Sequence, residues 1–325
     1  MFNNLTRDIL RELHFPQDGD DRFQIPTESS ISRKLGVSFS RVSRRMREMR
    51  ESGLIPERLS MTINTVYVGI SKFITMGIAP KEVARAMEEI MRRNPPRFVE
   101  SFYRVNTGPP HNSNLVVMEI INDERNLRDN FEFLTLKFPG FQVLEEMTVK
   151  VSPESIKPSN EYEAKVLSNL RIQGSLERRI LKALWEDTSS TVPAITDKVY
   201  PRGKMMNHNK KYRTVKRILD AMVRLRAFWF FPTINSSYLD DCTMFSLTVL
   251  LGSRDRRETL RILKELLKDE YVMFRDYYSE MIPKGCIYHS RREYEQILEK
   301  IRKEGLEFVV YEDFNGFTTG NWPLE

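Results

Sequence analysis

The sequence predicts an α+β chain: two winged helix-turn-helix domains, each followed by a ferredoxin-like (βαββαβ) domain, an internal tandem duplication. Three observations predict it. The length of 325 residues exceeds one module and suits two to four domains. Two basic islands lie about 170 residues apart. After each island the apolar periodicities follow in the same order.

Composition bounds the class. The chain is 40% hydrophobic, 10% aromatic and 30% charged, enough apolar material for real cores. Wholesale disorder is excluded. With 16 Pro and 14 Gly, fibrous and low-complexity classes are excluded too. No apolar run approaches the ~20 residues of a membrane span, so no membrane partner is expected. The first residues have no hydrophobic signal core, and a cytoplasmic location is expected. Cys242 and Cys286 cannot make a disulfide scaffold, which suits a reducing compartment.

The formal charge of +6 is an average over unlike parts. Residues 31–50 carry seven basic side chains and one acid, net +6. Residues 202–226 carry nine and one, net +8, so the rest of the chain is at −8. Basic islands in an acidic chain point to an anionic polymer.

Each element follows from local pattern. Leu5–Leu13 and Leu176–Leu184 agree at five of nine positions without a gap, and both have apolar residues at i, i+4, i+5 and i+8. Each is a first helix. Thr27 caps a second helix, Glu28–Leu35. Gly36-Val37-Ser38 is the turn, with a positive φ at Gly36 and a cap at Ser38. Phe39–Glu51 is the third helix, burying Val42, Met46 and Met49; Ser52-Gly53 stops it, and Leu54-Ile55 begins an extended wing. Strands are expected at Thr65–Ser71, Phe98–Val105, Leu115–Ile121 and Val143–Val151, with helices at Lys81–Arg93 and Leu127–Phe138. A Pro- and Ser-rich linker precedes a connecting helix, Glu161–Arg171.

The second half repeats this. Its helices are Leu176–Glu186, Val192–Tyr200 and Lys210–Leu225, and Ala227–Pro232 starts its wing. Strands follow at Met244–Leu251, Tyr271–Ser279, Ile282–Tyr288 and Leu306–Glu312, with helices Arg256–Lys268 and Arg291–Glu304. Phe314–Glu325 reads as an irregular tail. The expected domains are 1–62 (winged helix), 63–152 (ferredoxin-like), 153–173 (linker), 174–240 (winged helix) and 241–325 (ferredoxin-like).

The partner implied is double-stranded DNA. In a helix-turn-helix the third helix enters the major groove. Ser38, Ser40, Arg41 and Arg44 are the groove-facing candidates, since Arg grips guanine O6/N7 in a bidentate pair. Arg33, Lys34, Arg45 and Arg47 complete the first interface, Arg33, Lys34 and Arg47 as phosphate contacts. Lys210, Lys211, Arg213, Lys216 and Arg217 repeat the pattern, and Arg202 and Lys204 lie in the loop before them.

The run Ile31 to Ile55, with Leu35-Gly36-Val37-Ser38, a basic third helix and Gly53-Leu54-Ile55, resembles the leucine-/asparagine-responsive (Lrp/AsnC, feast-or-famine) transcription regulators. The resemblance implies a transcription regulator with a dimerising, ligand-sensing βαββαβ domain and a small-molecule effector. Family members usually carry one such unit, and this chain carries two. The sensor loop reads Thr107-Gly108-Pro-Pro-His111-Asn-Ser-Asn114 here, so Gly108, His111 and Asn114 are the effector-binding candidates. The strands carry apolar groups on both faces, which calls for a homodimer or an intrachain pseudo-dimer with paired sheets.

Catalytic signatures are missing. No Walker loop, G-x-S-x-G, HExxH or CxxC occurs, so no enzyme activity, cofactor or metal is expected. Cys286 and His289 lie three apart on a strand and face opposite ways. Phe228-Trp229-Phe230-Phe231 reads as packing under the third helix. Siroheme decarboxylases share the Lrp-like fold, so an enzyme on this architecture is the alternative reading. An RNA-binding protein with stacking sheets is a third.

Overall fold

The computed structural model describes residues 3–17, 19–106, 113–151, 156–200, 208–234, 243–250, 255–267, 271–274, 281–288, 291–312, 314–318 and 322. In chain order the first elements are α1 (Asn4–Glu12), α2 (Glu28–Leu35), α3 (Phe39–Glu51), β1 (Ser60–Ile63) and α4 (Thr65–Val68). Then come β2 (Ser71–Pro80), α5 (Lys81–Arg93), β3 (Val99–Asn106), β4 (Ser113–Asn122), α6 (Leu127–Lys137) and β5 (Gln142–Val151). Four helices follow, α7 (Glu161–Leu170), α8 (Leu176–Glu186), α9 (Val192–Val199) and α10 (His208–Arg224), with β6 (Phe228–Phe231). The last are β7 (Thr243–Leu250), α11 (Arg256–Leu266), β8 (Tyr271–Phe274), β9 (Met281–Tyr288), α12 (Arg291–Lys303), β10 (Glu307–Glu312) and β11 (Phe314–Thr318).

Two compact units emerge, and each draws on distant stretches of chain. One comprises Met1–Arg11, Ile70–Glu154 and Asn235–Pro323. The other comprises Glu12–Gly69, Ser155–Ile234 and Leu324–Glu325.

The sheet-bearing unit holds two antiparallel sheets, ordered β11-β3-β4-β2-β5 and β10-β7-β9-β8. In each βαββαβ run the fourth strand lies outside the first, and the third lies between first and second. Alternation fixes the buried face. Phe73, Val116, Met118 and Ile120 point to the helices and pack with Met87, Met91, Phe131 and Leu134. Gly77 lets the chain pass beneath Phe141, because a Cβ there would strike that ring and come 2.7 Å from the Gln142 carbonyl oxygen. The second sheet has its own core, with Val249, Leu263, Ile297 and Ile301.

The opposite face of the first sheet buries charge. Lys72 is 1% exposed and pairs with Glu100 and, at 3.1 Å, with Glu119. Lys72 is on β2, Glu100 on β3 and Glu119 on β4, so the cluster ties three adjacent strands.

Three expectations are corrected. Thr65–Ser71 is not a strand: Asn64 sits at the cap position and Gly69 (φ 78°) closes a single helical turn, α4, before β2 begins. Local turn chemistry overrides β-branched propensity there. Leu54-Ile55 does not start a strand; β1 begins at Ser60. The tail is not wholly irregular, because β11 pairs with β3, Gly316 opposite Tyr103. An exposed strand edge templates pairing that a Gly- and Thr-rich segment does not announce. Among the described residues no helix is long and apolar enough to cross a membrane.

Candidate nucleic-acid interface

α2 is capped at both ends, whereas Ser38 stands at the N-cap position of α3 without the expected side-chain cap hydrogen bond. The Thr27 hydroxyl accepts from the Ser30 amide at 3.1 Å, and the Ser30 hydroxyl accepts from the Thr27 amide at 2.8 Å. Gly36 takes φ 62°, its amide donates to the Ser32 carbonyl, and the Ser32 hydroxyl donates to the Val37 carbonyl at 2.6 Å. Ile31, Val42, Met46 and Met49 are buried beneath. Arg50 reaches Glu28 at 3.3 Å and clamps α3 to α2.

This packing turns the rest of α3 outward. Ser38, Phe39, Ser40, Arg41, Arg44 and Arg47 are exposed. Arg33 and Lys34 are exposed on α2, with Lys34 3.1 Å from Glu12. Among the described residues Arg33, Arg41 and Arg47 form no ion pair. Arg45 differs: its side chain is 17% exposed and it donates to Glu48 at 2.8 Å. That hydrogen bond lowers the Glu48 carboxyl pKa, opposed by desolvation.

The second island is less uniform. Arg202 and Lys204 lie outside the described residues. On α10, Lys210 and Arg213 are exposed. Lys211 sits 5.5 Å from the Tyr200 ring centroid. Lys216 reaches Asp220 at 3.3 Å, and Asp220 also accepts the Phe23 amide at 2.8 Å. The Arg217 guanidinium lies 3.8 Å from the Tyr162 ring centroid. Sequence reasoning missed Tyr162 and Glu163; their signal is the apolar spacing of Val166 and Leu170 behind them. A cavity of about 650 Å³ opens between α7, α8 and α10, lined among others by Tyr162, Lys165, Glu177 and Arg217.

The aromatic run is core. β1 and β6 form an antiparallel ribbon, Met61 opposite Phe230 and Ile63 opposite Phe228. Phe228 and Phe230 are fully buried, and Phe15 stacks on Phe230 with centroids 6.1 Å apart. The strand after each third helix therefore pairs with its counterpart from the other half. Of the effector candidates, Gly108 and His111 lie outside the described residues, and Asn114 is buried on β4 opposite Asn106. Among the described residues no group of three or more His, Cys, Asp or Glu could hold a metal, and His289 lies outside them.

Comparison with protein-family models and with curated proteins finds no match. Among solved structures, the chain is similar to the siroheme decarboxylase NirDL, with 12% identity over 95% of this chain and 90% of that one (TM-score 0.41). It is also similar to AsnC of E. coli, with 18% identity over 49% of this chain and 98% of that one (TM-score 0.30). A protein from Galdieria sulphuraria matches at 8% identity over 75% of this chain and 99% of that one (TM-score 0.19). The expectation of a chain without enzyme activity is thereby corrected, since the decarboxylase is an enzyme and its complex with an iron-uroporphyrin III analogue matches as well.

Proposed function

We propose that the chain is a double-stranded-DNA-binding transcription regulator. Its two winged-helix halves and two ferredoxin-like halves are fused as a pseudo-dimer of Lrp/AsnC type. The observation that carries this is the outward face of α3, where Ser38, Ser40, Arg41, Arg44 and Arg47 stand exposed above the buried Val42, Met46 and Met49. Ser40, Arg41 and Arg44 reach base edges. Arg33, Lys34 and Arg47 meet phosphates, while Arg45 supports α3 through Glu48. Phosphate contacts hold register, and base contacts carry sequence. Selection of bound duplexes from a random pool tests the proposal: an enriched motif supports it, and no enrichment removes sequence-specific regulation.

A second reading is catalysis by the sheet-bearing unit. The buried Lys72–Glu100–Glu119 cluster favours it, because buried ionisable clusters concentrate at functional sites. Absorbance titration with an iron tetrapyrrole tests it; a shifted band that Glu119→Gln abolishes supports a ligand there.

A further inference from the structure

The two third helices match in sequence but not in surroundings. Val42, Arg44, Met46 and Met49 of α3 align with Val215, Arg217, Leu219 and Met222 of α10. On that alignment Arg41, Arg45 and Glu48 correspond to Thr214, Ile218 and Ala221. Arg41 and Glu48 are exposed and Arg45 is half-buried, whereas Ile218 and Ala221 are 3% and 0% exposed. The flank of α3 that bears Arg45 and Glu48 is apolar on α10, while Arg213 and Arg217, which match Ser40 and Arg44, stay exposed.

α7 covers it. This helix packs against α8 and α10, with Val166 and Leu170 buried. Two polar contacts flank the apolar seam. Tyr162 stacks on Arg217, and Arg224 donates to Glu163 at 2.6 Å. A major groove about 12 Å wide admits one helix of about 10–12 Å diameter. It has no room for α10 with α7 alongside.

We infer that the chain offers one groove-reading surface, on α3, and fits duplex DNA carrying a single half-site. On α10 the flank beside the groove face is occupied by α7, and Arg217, the match of Arg44, is stacked on Tyr162. Its first turns still present Lys210 and Arg213, which suit phosphates. The inference rests on the DNA-binding reading.

The test selects duplexes with the full-length chain and repeats the selection with Arg41→Ala and Thr214→Ala, the matched positions of the two helices. One continuous motif is expected, altered by Arg41→Ala and untouched by Thr214→Ala. On the selected duplex, Arg44→Ala should weaken binding by about tenfold or more, and Arg217→Ala by less than about twofold. Two motifs about ten base pairs apart, the second changed by Thr214→Ala or by Arg217→Lys, overturn the inference while leaving DNA binding intact. No duplex binding by the wild type or by a Tyr162→Ala, Glu163→Gln chain overturns both.

Discussion

Arg224 donates its Nε–H to the Glu163 carboxylate at 2.6 Å, joining the end of α10 to the start of α7. Glu163 is nearly buried, and burial raises its carboxyl pKa. Hydrogen bonds from Arg224 and from the Ser159 hydroxyl and amide outweigh that and hold it at about 2, below its ordinary 4.5. A depressed carboxyl stabilises the fold above its unfolded pKa, and the contribution fades as pH falls from about 4.5 to about 2. Glu163→Gln should cost on the order of 3 kcal/mol at pH 7. Denaturant unfolding of both chains across pH should show that gap closing in acid. A gap independent of pH rejects the ionic origin.

Exposed cations on α3 predict a salt signature. Removing Arg47, the phosphate contact on α3, should weaken duplex binding at every sequence and lower the slope of log K against log salt by about one. Titrations at several salt concentrations read both quantities. Unchanged affinity and slope would take α3 out of the interface.

Phe39 opens α3 and is 55% exposed, a poor place for an aromatic ring in a free head. Its neighbours Ser38 and Ser40 are exposed too. An apolar side chain at the groove end of a helix suits a thymine methyl. Burying one methyl contributes about 0.8 kcal/mol, roughly fourfold in affinity. Replacing thymine by uracil in the selected motif should therefore weaken the wild type about fourfold and leave Phe39→Ala unaffected. Equal loss in both chains rules the contact out.

Much of this was legible in sequence, and the remainder has a common cause. Helices α2, α3, α5 and α8 match the expected bounds because caps and period-3.6 apolar spacing are local signals. The turn at Gly36 was legible for the same reason. The β1–β6 ribbon was not, because nothing near Thr62 names Trp229 as its partner. The docking of α7 was equally hidden. Only the exchange of Arg45 and Glu48 for Ile218 and Ala221 hinted that one third helix would be covered. No local signal marks Lys72 as buried; registry alone brings β4 and Glu119 beside it.

That lysine gives the last prediction. Its ammonium lies between two carboxylates whose side chains are 3% and 6% exposed. Lys72→Met keeps much of the volume and removes the charge that the buried Glu100 and Glu119 pair with. Breaking a buried ion pair costs about 3–5 kcal/mol, because the remaining charge keeps its desolvation penalty. Replacing Glu119 by Gln in the same chain should recover part of that loss, since one fewer carboxylate must be buried. Denaturant midpoints of the wild type, the single and the double variant measure this. A single variant within about 1 kcal/mol of wild type would show that these carboxylates are solvated rather than buried with the lysine.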